Sequence, residues 1–151
     1  MIEVKVTGVD KAIRDFDRKQ RSIENALAEG TEEAGEYLIE CIQDKFGHYQ
    51  PGWARLKMDT IKRKLRRGAG ANADKPLIEF GDMMFSFYTK LSARTRKHMV
   101  HILSDDPKLP YHMYGVPSKN LPKRDPVRPT VKEENDKWLE IIKDAVRRKI
   151  F

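Results

Sequence analysis

Four histidines, a single cysteine, an adjacent acidic pair and a dense run of cations are the groups in this chain with chemistry to offer. His48, His98, His101 and His112 fall in separate segments, except that His98 and His101 stand three apart, which places them on opposite faces of a strand. The chain has no H-E-x-x-H, no cysteine pair, no phosphate-binding glycine loop and no G-x-S-x-G. Asp105 and Asp106 are neighbours, but no E-x-K follows them as a metal-dependent nuclease would need. Cys41 excludes an internal disulfide and reads as a small buried hydrophobe on a helix. These patterns predict a protein without catalysis, cofactor or metal.

The cations carry the stronger signal. Lys62-Arg63-Lys64-Leu65-Arg66-Arg67 follows a Pro51-Gly52 turn, Trp53, Leu56 and Thr60, and precedes a loop rich in Gly, Ala and Asn. The run reads either as a solvated helix face with only Leu65 turned inward, or as an exposed basic arm over about 62–75. Trp53 and Leu56, three apart, would share one face of a short helix, as a core plug or as an anchor for the arm. Gly68 and Gly70 predict a mobile loop, and Gly81 a tight turn or a helix start with Asp82 in its first turn.

The order W-x-x-L-x-x-x-T, basic run, P-L-I-x-x-G-x-M-x-x-S (Trp53, Leu56, Thr60, then Leu77, Gly81 and Ser86) resembles the phage virion morphogenesis and tail-completion family. That family is related to minor tail protein Z of lambda-type phages and to protein G of Mu-type phages. Its later elements correspond to Tyr111-His112-Met113-Tyr114-Gly115 and to Leu121-Pro122-Lys123-Arg124-Asp125-Pro126, so the likeness runs from about residue 46 to the end. The sequence departs from the pattern where Phe80 replaces a threonine and Met83 or Met84 a leucine, and both Arg124-Asp125-Pro126 and Arg128-Pro129 can fill the arginine–proline element. The resemblance implies a structural protein that completes a tail or joins it to the head. It would assemble in the bacterial cytoplasm and end in the virion tail or neck, as a ring that is often six-fold. Its partners would be identical subunits, the tail tube or terminator, and head-connector proteins. Trp53, Leu56, Thr60, Lys62, Arg63, Lys64, Arg66, Arg67, Leu77, Gly81, Tyr111, His112, Gly115, Pro122, Arg124 and Arg128 are the expected contact residues.

The elements that must position these residues are legible from periodicity. Ile2, Val4 and Val6 alternate with polar residues as in a half-buried strand that Gly8 ends. Asp10 can cap a short helix carrying Val9, Ala12, Ile13 and Phe16. A longer helix follows, with a stripe from Ile23 through Ala34, Leu38 and Ile42 to Phe46; Gly30 and Gly35 predict a bend or close packing. Alternation over 85–91 and an apolar run at 99–103 predict two antiparallel strands joined across 92–97, which with the first strand would form a small sheet. Six prolines from Pro107 to Pro129 leave room for one helical turn at 111–115 and predict a stiff loop or a recognition arm. Thr130-Val131-Lys132-Glu133 matches a capping box before a final helix whose apolar face includes Trp138, Ile142 and Val146. Its terminal cations suit the helix dipole. The expected class is α+β: a single domain over 1–151 in which a long N-terminal helix and a C-terminal helix pack on a small antiparallel sheet, with a flexible basic insertion.

Charge is segregated along the chain. Residues 1–46 carry a net −4, residues 47–130 a net +10 and residues 131–151 a net +1. An acidic front and a basic middle suit head-to-tail contact between copies. They equally suit a nucleic-acid module using Lys62, Arg63, Lys64, Arg66 and Arg67 on phosphates, and a weak DNA contact can coexist with the structural role. No run approaches the roughly 20 apolar residues of a membrane helix, and the N-terminus does not read as a signal peptide, so a cytoplasmic protein is expected.

Overall fold

The computed structural model describes residues 9–94 and 97–150. The strand expected at Ile2–Val6 lies outside them. The class is α+β: a long N-terminal helix, a C-terminal helix and a two-stranded antiparallel sheet.

Helix α1 runs unbroken from Val9 to Gln43, 35 residues and about 52 Å. The expected break after the first short helix does not occur. The intervening Asp17-Arg18-Lys19-Gln20-Arg21-Ser22 contains neither Gly nor Pro, so nothing interrupts the backbone ladder. The helix stops three residues before Phe46, where Gly47 takes a φ of +79° and its N–H bonds the Pro76 carbonyl at 2.9 Å.

Two glycines let two other layers reach α1. A Cβ on Gly30 would lie 2.6 Å from the Ala145 Cβ of α5 (Asn135–Ile150), and one on Gly35 would lie 2.8 Å from Val100 and 2.9 Å from Thr89. Five residues apart on a helix is about 140° around the axis, so α5 and the sheet occupy different sides of α1. The C-terminal helix therefore lies along α1 on a different side of it from the sheet. Ion pairs Glu33–Arg148 (2.8 Å) and Glu29–Lys149 (3.4 Å) rim the α1–α5 contact. The Tyr37 hydroxyl donates to Glu134 at 2.6 Å, a bond that holds the phenol protonated far above its usual range.

The hairpin pairs β1 (Phe87–Arg94) with β2 (Lys97–Ser104), Phe87 opposite Ser104 and Leu91 opposite Val100. Its inner face meets α1 in a core of Ile42, Phe46, Met83, Phe87 and Leu109, where the Phe46 and Phe87 rings pack edge-to-face at 6.0 Å. At the base of the hairpin the Ser86 and Ser104 hydroxyls lie 2.6 Å apart. The acidic pair is structural: Asp105 accepts from the Tyr88 hydroxyl, and Asp106 accepts the Lys108 N–H at the start of α3 (Leu109–Tyr114).

The expected capping box is not formed. Thr130 lies inside the short helix α4 (Arg128–Glu133), fully buried, and its hydroxyl donates back to the Pro126 carbonyl at 2.7 Å. The N-terminal N–H groups are met instead by buried Asp125, whose Oδ1 accepts from Val127 (3.0 Å) and Arg128 (3.2 Å). The proline after Asp125 has no N–H to compete for that oxygen.

Candidate assembly interface

The basic run forms helix α2 (Met58–Arg66), but its orientation is the reverse of the expected one. Leu65 points outward and is 54% exposed, while Lys64 is 8% exposed. The Lys64 ammonium donates to the carbonyls of Asn72 (2.7 Å), Lys75 (2.8 Å) and Ile78, matching its three protons to three acceptors. Burial pushes its pKa below the usual lysine value, and the Glu79 and Asp74 carboxylates partly restore it. The segment 62–75, expected as a flexible arm, thus has an internal framework in which one cation gathers the returning loop. Arg67 adds to it, 3.3 Å from both carboxylate oxygens of Glu79.

A second buried cation ties the Trp53 segment down. Trp53 and Leu56 do not share a helix face, because 51–57 is a turn followed by chain without regular secondary structure, and both side chains are half-buried. Gly52 has a φ of +79° in the turn closed by the Trp53 N–H on the Gln50 carbonyl (3.0 Å). Arg124 is 3% exposed; its guanidinium donates to the Ala54 carbonyl through Nε (3.1 Å) and Nη2 (2.7 Å), and to that of Arg55 at 3.5 Å. The same residue's backbone N–H bonds the His112 carbonyl at 2.7 Å, joining α3 to the proline segment. Lys64 and Arg124 are therefore corrected from partner contacts to internal fasteners. Each serves carbonyls that loop backbone leaves without helix or sheet partners.

The other expected contact residues divide by burial. Thr60 is half-buried in the first turn of α2, whereas Lys62, Arg63 and Arg66 are exposed. Half-buried Leu77 packs on the core with a φ of +62°, and buried Gly81 at +101° carries the Phe85 ring 3.1 Å from where a Cβ would stand. These two act on the turn's shape. Gly115 belongs with them: its φ is +74°, and a Cβ would meet the Lys123 N at 3.0 Å and the Leu121 O at 3.1 Å. His112 and Pro122 are half-buried; burial, then the nearby Arg124 charge, lowers the His112 pKa. Tyr111 is exposed, and so is Arg128, whose guanidinium lies 4.6 Å from the Tyr114 ring centre.

Sequence reasoning missed the apolar side chains that face outward. Residues 10–21 of α1 are exposed throughout, including Ile13 at 54% and Phe16 at 70%. On α2, Met58 (64%) and Leu65 are seven apart and share one exposed stripe. Phe80 and Phe85 are exposed at 57% and 71% on either side of Gly81. The stripes were visible as periodicity, but periodicity does not say whether the covering surface belongs to the same chain.

Among the described residues no group of three or more His, Cys, Asp or Glu side chains could hold a metal ion, and no helix is long and apolar enough to cross a membrane. Shallow surface grooves run along α5 between charged side chains such as Asp136, Lys143 and Arg147, and none of the expected contact residues lines them. No protein-family model, curated protein or solved structure matches this chain.

Proposed function

We propose that this chain is a non-catalytic structural subunit that works by self-association, in the role implied by its resemblance to the phage tail-completion family: a ring that completes a tail or joins it to the head. The observation that carries this reading is the set of uncovered apolar side chains on helices, Ile13 and Phe16 on α1 and Met58 with Leu65 on α2. Burying one such side chain is worth about 1.5–3 kcal/mol, enough for a few of them to drive association. The first three turns of α1 also lack tertiary packing, and a helix of that length is marginal alone. A neighbouring copy would supply what is missing.

Charge supports heterologous contact. Glu32, Glu36 and Glu40 stand exposed one turn apart on α1, a repulsive ladder with no ion-pair partner among the described residues. The exposed Lys62, Arg63 and Arg66 of another copy's α2 would relieve it. The competing reading, a phosphate-binding module built on the 62–67 run, loses Lys64 to three carbonyls and Arg67 to Glu79.

Light scattering across protein concentration tests the proposal. The expected mass is a multiple of the 17.6 kDa chain, collapsing to the monomer in an Ile13→Asp/Phe16→Asp variant whose helical circular dichroism is intact. A wild-type protein that stays monomeric and binds no isolated tail would refute it.

A further inference from the structure

A surface separate from those apolar stripes joins aromatic rings to cations. Tyr111 and Tyr114, three apart on α3, are 53% and 64% exposed. Each ring has a cation from another element over it: Lys119 Nζ at 5.8 Å from the Tyr111 centre, and the Arg128 guanidinium at 4.6 Å from that of Tyr114. Lys108 and Lys123 are exposed on the same segment. Residues 108–128 hold five Lys or Arg against one acid, Asp125, and that acid is buried, accepting backbone N–H groups with Arg128 at 3.7 Å.

The surface is built before any ligand arrives. The Val116–Leu121 bridge, the Arg124 N–H on the His112 carbonyl and the Gly115 N–H on the Tyr111 carbonyl (2.8 Å) fix α3, the 3₁₀ turn Pro117–Lys119 and the chain as far as Arg124 together. Little ordering entropy would then be lost on docking.

We propose that Tyr111, Tyr114, Lys119 and Arg128 form a binding surface for single-stranded nucleic acid, which goes beyond the assembly role proposed above. The open face of each tyrosine ring takes an unpaired base, while the flanking cations take the phosphates on either side. Exposed rings without cations would suit an apolar protein surface, and cations without rings any polyanion; the alternation of both selects a ligand that is aromatic and anionic at each repeat. A duplex offers the phosphates but keeps its base faces stacked inside, so it engages only half of this surface.

The test is fluorescence anisotropy with a labelled oligothymidylate of about 20 nucleotides, a duplex of equal length and poly-glutamate as competitors, between about 50 and 200 mM salt. The wild-type protein is expected to prefer the single strand and to weaken with salt. Tyr111→Ala and Tyr114→Ala should each reduce affinity roughly 5- to 100-fold, and Tyr111→Phe should retain it. Circular dichroism and light scattering on the same variants should be unchanged, since both side chains are exposed. The proposal is overturned if the double alanine variant binds as tightly as wild type, or if duplex or poly-glutamate competes equally well. It is also overturned if the double variant loses self-association while the wild type binds no oligonucleotide, which makes the patch a subunit contact.

Discussion

Replacing Lys64 by Met removes the ammonium and keeps most of the aliphatic length, so the change isolates the three carbonyl contacts from packing. In the folded protein the carbonyls of Asn72, Lys75 and Ile78 converge on Nζ. Hydrogen bonds to a charged group contribute about 1.5–3 kcal/mol each, so the three together supply roughly 4–9 kcal/mol. Against this stands the several kcal/mol needed to desolvate a buried ammonium, which Lys64→Met avoids. Carbonyls that swing out to water recover part of what they lose. The net expectation is a loss of about 2–4 kcal/mol, read as a lower denaturant midpoint by circular dichroism. The damage should also be local: limited proteolysis should cut within 68–78 faster than in wild type. Lys62→Met, on the exposed side of the same helix, should change stability by less than about 0.5 kcal/mol. Equal stability of the two variants, with no new cleavage in 68–78, would refute the inference that Lys64 fastens the loop.

Two further outcomes follow from the geometry. Gly30→Val should destabilise by about 1–3 kcal/mol in thermal or chemical melts, because the new side chain meets Ala145 and the Ile142 backbone on a helix that cannot retreat without opening the α1–α5 contact; Ala145→Gly in the same chain should recover part of the loss. His112 has a lowered folded pKa, so the unfolded chain takes up its proton first as pH falls. Stability from this group is therefore complete above about pH 6.5 and declines as pH drops from there towards the folded value. A His112→Gln variant should show a flatter acid limb in a pH series of melting temperatures.

Helical and strand periods, punctuated by glycines and prolines, made the helical character of α1 (though not its continuity), the hairpin, a turn near 111–115 and the final helix legible, because these patterns are local and repeat over several residues. Gly30 and Gly35 marked a bend or close packing, and the structure shows close packing at both. Local pattern failed where two local answers competed. Asp125 and Thr130 are both good caps, and the choice went to Asp125 because Thr130 is buried inside the turn it was expected to start.

The candidate site was the least legible part. Sequence placed the cations correctly in number but not in direction: among Lys62, Arg63, Lys64, Arg66 and Arg67, which one turns inward depends on where loop carbonyls from 72, 75 and 78 lack partners. Arg124 is the same case across a longer separation, its carbonyl partners lying 69 and 70 residues earlier. Composition and periodicity by themselves determined the element types, the polarity of each stretch and the segregation of charge. Only the tertiary structure decided which apolar stripes are covered and which cations serve the chain's own backbone, because both depend on surfaces brought together by folding rather than on neighbours in sequence.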